Sequence, residues 1–528
     1  MIGNPRYPTP PRLLLLLSGV ALVVTGSLRA DVPLPGTQPE EGRITLGNVS
    51  QCRMCHARTA SGPLGPFESW QGGMMAQAAR DPVFRAALAI ANQDIPGVGE
   101  YCLRCHTPSA WLEGRSKPPD GKALNRDDLH GVSCAACHQL IDPKAPEAVR
   151  FAKQLPPSPG NAMMVMDRRP RMRGPYRDDR RVGPRPHEVE QSAFTASGHL
   201  CGTCHDVSNP LQARDPATQP AWAYGHIERT YSEWLLSEFA GREKGGSCQS
   251  CHYPRVPGGG SPTSFTNRPR AYFVEHGPVG GSTWVQQATW LVWNGRDMNR
   301  LALKRGQRKA RKLLQTAATL ELSFPAPGRA TLRITNNTGH KLPSGYPEGR
   351  RMWLNIRYYN GEGLLIDELG RYGERDDTLA GDPVRVPTLL DPQRTRVYEN
   401  RPGISPAQAA RYGMKAGPSF HFVLNDVITK DNRIPPRGFA NAAFAEHQCQ
   451  PVGATYADGQ HWDIVTLELP PETTRVEARL MYQSVSWEYV KFLVEENHTD
   501  TWGRRLYEAW DKTGRCPPEV IASTVATP

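Results

Sequence analysis

Ten of the twelve cysteines in this 528-residue chain fall into five copies of one frame. The copies are Cys52, Cys55 and His56; Cys102, Cys105 and His106; Cys134, Cys137 and His138; Cys201, Cys204 and His205; and Cys248, Cys251 and His252. Each reads Cys-x-x-Cys-His. Thiols and an imidazole at this spacing suit three chemistries: a zinc site, a redox dithiol, or covalent attachment of a porphyrin. A zinc site does not need His directly after the second Cys every time. A redox dithiol would occur once, inside an α/β pattern, not five times in sequence rich in Pro and Gly. Porphyrin attachment needs all three residues: two thiols reach the two vinyl groups on one edge, and the next residue sets an imidazole under the iron. The frame therefore predicts five haem c groups, the ten cysteines forming thioethers and the five histidines serving as proximal ligands.

A low-spin electron-transfer haem takes a second axial ligand, usually His or Met. Ten histidines lie outside the frames, so a His at every sixth position is numerically available. His276 and His340 lead, because small residues flank both and let backbone approach a porphyrin face. His199 and His187 follow, then His130. His130 and His199 are tethered just upstream of the third and fourth frames. Met75 is a candidate for the first haem, with helix packing as its alternative reading. His226, His421, His447, His461 and His498 read as ordinary residues. Cys449 and Cys516 remain, either as a disulfide or as two free thiols.

The elements that position these groups divide the chain. All five frames lie between Cys52 and His252, so residues 31–281 form a loop-rich, largely α domain in which porphyrin faces replace much of the apolar core. Spacing of Phe84, Leu88 and Ala91 predicts a helix around residues 68–92. Residues 168–186, rich in Arg, Pro and Asp, read as a solvated loop. Trp70, Phe194 and Trp234 each precede a small residue by three and then Met75, His199 or Phe239 by two more, a weak internal repeat of haem-packing helices. Residues 282–318 form a basic helical linker carrying Arg296, Arg300, Lys304, Arg305 and Arg308. Beyond it the period changes to two. Residues 319–324, 330–336, 352–359, 420–428, 462–469 and 475–485 predict strands of an antiparallel, sandwich-like domain spanning 319–528, which serves structure, docking or oligomerisation.

Residues 1–30 read as a secretory signal peptide: Arg6 and Arg12, an apolar run from Leu13 to Val24, and small residues up to Ala30. Export to the periplasm or the extracellular face of a bacterium fits the chemistry, since haem is attached to such frames outside the cytoplasm. The chain has 49 Gly, 49 Pro and a mean hydropathy of −0.53, which suits neither a coiled coil nor a membrane bundle. Its net charge of +11 would ordinarily raise nucleic acid as a partner, but export argues against it and haem propionates account for part of the Arg excess.

The segments around Gly131–His138, Leu200–Val207 and Glu228–Trp234 leading into Cys248, together with Gly339–Gly345, resemble bacterial multihaem c-type cytochromes of the cytochrome c-552/c-554 kind. The resemblance covers roughly residues 51–345 and implies packed haem pairs, mostly His/His ligated, and an electron-relay role with other redox proteins as donor and acceptor. The chain departs from that pattern at Met75, where many relatives carry His, and at Tyr253–Pro254 after the last frame. The leading expectation is an electron carrier, not an enzyme. The alternative is an oxidoreductase with one open-site haem acting on a small nitrogen compound such as nitrite or hydroxylamine.

Overall fold

The computed structural model describes residues 32–39, 41, 48–57, 65–169, 171–176, 187–242, 246–257 and 272–528. The expected leader over 1–30 lies outside them, as do residues 177–186 of the expected solvated loop. The start of that loop is ordered: Arg171–Gly174 is a strand paired in parallel with Glu188–Gln191. Acid–base pairs drive the pairing, with Arg171 2.5 Å from Glu190 and the buried Arg173 2.8 Å from Asp167.

Regular structure over the five frames is short. The first frame sits on the helix Val49–His56, the second on Gly99–His106, the third on Cys134–His138 and the fifth on Cys248–His252. The fourth begins on Gly198–Gly202 and ends in the turn beyond it. A helical turn puts residues three apart on one face, which aims both thiols of a frame the same way. Side-chain caps start two of these helices: Asn48 accepts from the Ser50 amide and Ser133 from that of Ala136. The helix expected over 68–92 is broken into Pro66–Trp70, a 3-10 turn at Met74–Gln77, and Pro82–Asp94. Gly72 and Gly73 end the first piece, and Asp81 with Pro82 restarts the last, the Asp81 carboxylate accepting from Val83 at 2.8 Å.

Loops on this scale leave many backbone carbonyls without ladder partners. Buried arginines supply them. Arg229 donates to the carbonyls of Val207, Glu228, Tyr224 and His447; Arg104 donates to those of Ala162 and Pro35, and Arg85 to that of Ala79. A guanidinium carries five N–H donors in a rigid fork, so one side chain can close several loops at once.

The C-terminal part is built differently. Ala318–Ala326, Arg329–Asn336 and Trp462–Glu468 form a three-stranded antiparallel sheet with Arg329–Asn336 central. Leu365–Leu369, Arg351–Tyr359, Arg475–Gln483 and Glu519–Ala526 form a second in that order, joined at Arg351–Tyr359 by Val397–Tyr398. Inward residues of both sheets, among them Leu332, Ile334, Leu354, Ile356, Ala478 and Leu480, share one apolar core. The strand expected over 420–428 begins only at Val427; residues 420–425 form a buried turn whose alternating aromatics pack into the core and onto the Pro82–Asp94 helix. Two helices, Trp487–Glu495 and Trp502–Lys512, stand among the strands, and with Val83, Ala87 and Ile90 of Pro82–Asp94 and Trp284 of the basic segment they build a second core. That core joins the two parts of the chain.

Candidate haem-attachment site

Three of the five frame histidines face a second imidazole. His56 faces His187 with ring centres 6.4 Å apart, His138 faces His276 at 6.3 Å, and His252 faces His340 at 6.3 Å. The planes are inclined by only 19°, 23° and 26°, yet the rings are too far apart to touch. Two metal–imidazole bonds of about 2 Å each, plus the distance from ring nitrogen to ring centre on both sides, span roughly 6 Å. Each gap therefore has the width of one iron held between two imidazoles.

The second nitrogen of these rings is held as well. His138 Nδ1 donates to the Arg173 carbonyl at 2.6 Å, His276 to Val274 at 2.9 Å, His252 to Val279 at 2.5 Å, His340 to Lys341 at 2.9 Å and His187 to Glu188 at 3.0 Å. His106 donates to Ala78 at 3.1 Å. A carbonyl can only accept, so each ring carries its proton on Nδ1 and leaves the Nε2 lone pair for a metal. Burial pushes His106, His252 and His276 down to about 4, keeping the imidazoles neutral as ligands must be.

His106 and His205 have no second imidazole at that separation among the described residues. The His106 ring is stacked on Phe84 at 3.6 Å. His205 differs in its second nitrogen, which pairs with a carboxylate, Glu228 Oε1, at 3.4 Å. The short strands Val207–Ser208 and His226–Glu228 set this pair side by side. They also place His226, which reads as an ordinary residue in the sequence, close to the fourth frame. Both of its ring nitrogens are buried without a hydrogen-bond partner. Nothing in its flanking sequence singles it out; only the strand pairing does. Of the remaining candidates, His199 is oriented by the Tyr231 hydroxyl at 2.6 Å and lies edge-on to Trp234, and His130 is buried against Trp70. Met74 packs into the second core, whereas Met75 is half-buried and its carbonyl receives the Val132 amide.

Different frames adjoin one another. Cys52 and Cys134 share one apolar cluster, and Cys105, Ala135, Leu200 and Cys204 share another. The helix Val49–His56 packs on Cys134–His138, and Gly198–Gly202 packs on Cys248–His252. The first frame thus adjoins the third, the second and third adjoin the fourth, and the fourth adjoins the fifth. Cys449 and Cys516 are not brought together. Each is a free, buried thiol, Cys449 packed with Phe439 and Phe444, Cys516 in the second core with Sγ 3.4 Å from Ser484 Oγ. The disulfide that two leftover cysteines suggest is absent because they sit in separate cores.

The segment that carries His340 is locked by buried charge. Lys341 Nζ lies 2.8 Å from Asp431, and Arg433 lies 2.7 Å from Asp431 and 2.9 Å from Glu233. Burial alone would raise Asp431, but Arg433 and Lys341 hold it well below the usual carboxylate range. Glu233 also accepts from the Lys341 amide and the Ser344 hydroxyl.

Residues 51–139 match the family model described as cytochrome c554 and c-prime, which spans the first three frames. No curated protein matches the chain. Among solved structures, a penta-heme cytochrome c552 from Thermochromatium tepidum shares the fold with a TM-score of 0.52 at 16% identity, over 92% of this chain and 100% of that one. Residues 51–139 thus resemble the cytochrome c554 and c-prime family, and the chain as a whole shares its fold with a penta-heme cytochrome c552.

Proposed function

We propose that this protein is an exported electron carrier holding five haem c groups, one on each Cys-x-x-Cys-His frame, and that it works in the periplasm or at the outer surface. The observation that carries this reading is the set of three facing imidazole pairs, His56–His187, His138–His276 and His252–His340, each separated by the width of one iron. Bound haem supplies a one-electron iron couple. The chain's part would be to hold the groups on adjoining frames, to fix imidazole tautomers with backbone carbonyls, and to exclude water from the imidazole rings. The two sheets of the C-terminal part act as a scaffold, and the second core braces the Pro82–Asp94 helix beneath His106.

A pyridine-haemochrome count with low-temperature EPR of the oxidised protein tests the reading. Five haems, with low-spin signals from at least the three centres of His56, His138 and His252, are expected. Fewer than five haems, or high-spin iron at any of those three, would overturn it.

One observation favours a second reading for part of the array. His106 meets Phe84 and no facing imidazole among the described residues. We infer an open sixth position at the second frame, where a small ligand such as nitrite or hydroxylamine could bind. Ferrous protein should then bind at least one carbon monoxide per chain. No spectral change with carbon monoxide rules the second reading out and leaves the first standing.

A further inference from the structure

The helix Arg300–Leu314 displays a one-sided charge that the electron-carrier reading leaves unused. Its buried face is Ala302, Leu303, Gly306, Gln307, Ala310 and Leu314. Its outer face is Arg300, Lys304, Arg305, Arg308 and Lys312, all exposed, spaced at three and four so that they form one stripe. The helix has other cations that are satisfied. Lys309 pairs with Glu275, and Arg311 with Glu519 at 2.7 Å. The five outer cations have no acidic partner among the described residues, and Leu301 beside them is 71% exposed. Like charges in one stripe repel one another, so the fold gains nothing from keeping them together.

Position gives the stripe meaning. Gly306 and Gly72 come so close that a Cβ at either would collide with the other strand of backbone, so the helix lies directly on the turn after Pro66–Trp70. Ser69 of that short helix accepts from the His276 amide at 2.9 Å, and the Lys309–Glu275 pair adjoins the same histidine. Pro66–Trp70 also packs on Val49–His56. The first frame is the end of the array, and its helix is largely bare, with Met54 80% exposed. One face of the molecule therefore combines the terminal frame, His276 facing its neighbour, and a stripe of cations without acidic partners among the described residues.

We propose that the Arg300–Leu314 stripe is the docking surface for an acidic electron-transfer protein, which exchanges electrons with the array at its first and third sites. This surface rests on the electron-carrier reading. Opposite charge raises encounter rates roughly 10- to 1,000-fold at low ionic strength, and the gain fades as salt screens it. Exposed Leu301 supplies the apolar contact that such short-lived complexes bury.

The test is stopped-flow reduction of the haem-loaded protein by flavodoxin hydroquinone, used as an acidic probe, and by uncharged lumiflavin semiquinone. The variant K304E/R308E/K312E changes only exposed side chains, and K304Q/R308Q/K312Q removes charge without reversing it. Expected is a flavodoxin rate at least tenfold slower for the Glu variant at low salt, an intermediate rate for the Gln variant, convergence at high salt, and an unchanged lumiflavin rate. Equal flavodoxin rates in all three proteins overturn the surface while leaving the carrier reading intact. So does loss of binding to phosphatidylglycerol vesicles with the flavodoxin rate unchanged, which would make the stripe a membrane contact. Wild-type protein that neither flavodoxin nor lumiflavin reduces overturns both readings.

Discussion

The two parts of this chain answer the same problem, burying a backbone, with opposite means. In the C-terminal part, strands such as Arg329–Asn336 alternate inward Leu332 and Ile334 with outward polar residues, and ladder bonds satisfy the backbone. In the part that carries the frames, helices of five to eight residues surround sites meant for a cofactor, the apolar clusters are small, and buried arginines cap loop carbonyls. One core is built of protein side chains alone. The other is completed by what is attached to it. The difference teaches that low secondary-structure content here signals a partner inside the fold, not disorder.

The sharpest way to break this comparison is to make the chain without haem attachment. Hydrogen exchange should show protection lost over the frames between residues 49 and 257, by several orders of magnitude, and retained over Arg329–Asn336 and Arg475–Gln483. Uniform loss across both parts would mean that the sheets depend on haem as well. Next in size is the junction. Replacing Asp431 with Asn leaves Lys341 and Arg433 buried with less countercharge, which should cost roughly 3–5 kcal/mol in denaturant unfolding. It should also disturb the low-spin signal of the His252–His340 site more than that of His56–His187.

A smaller effect is expected at Glu348, buried near Tyr346 and Tyr489 with one carboxyl oxygen unpartnered. Burial pushes its carboxyl up from 4.5 to about 8, so the folded state holds a proton that the unfolded state releases. Stability from this group is full below about pH 4.5 and declines as pH rises through 8. Urea midpoints of E348Q should lack that decline, gaining on wild type at pH 9 and not at pH 4. Parallel curves at both pH values would remove Glu348 from the account. The smallest effect should be electrochemical. A carboxylate on Nδ1 makes an imidazole a stronger donor and favours ferric iron. E228Q should raise the potential of one centre by tens of millivolts, a tenfold change in electron affinity being about 59 mV, and leave the others in place. Five unmoved potentials would show that the His205–Glu228 contact carries no electronic weight.

Much of the site was legible in the sequence because its chemistry is local. Two thiols and an imidazole must lie within one helical turn, so five frames could be read directly. His187, His276 and His340 stood out by their small or turn-forming neighbours, but which frame each one faces depends on long-range packing that no local spacing encodes. The placement of His226 beside the fourth frame is hidden in the sequence for the same reason. The helix expected over 68–92 is broken because apolar spacing continues through Gly72, Gly73 and Pro82, whose backbone preferences prevail. Alternation around Phe420 and Phe422 suggested a strand, yet a turn that buries aromatics on both sides gives the same pattern. Trp487–Glu495 and Trp502–Lys512 were lost among strands, since their apolar faces read as more of the same core.

His340 belongs to a segment pinned by Lys341 to Asp431, far along the chain from the fifth frame that it faces. On the ligation proposed above, the fifth site would not be finished while the protein is still emerging, even though its cysteines are available early. Maturation would then end only when the C-terminal part has folded and delivered its histidine, and a truncated product would betray itself by one misligated centre.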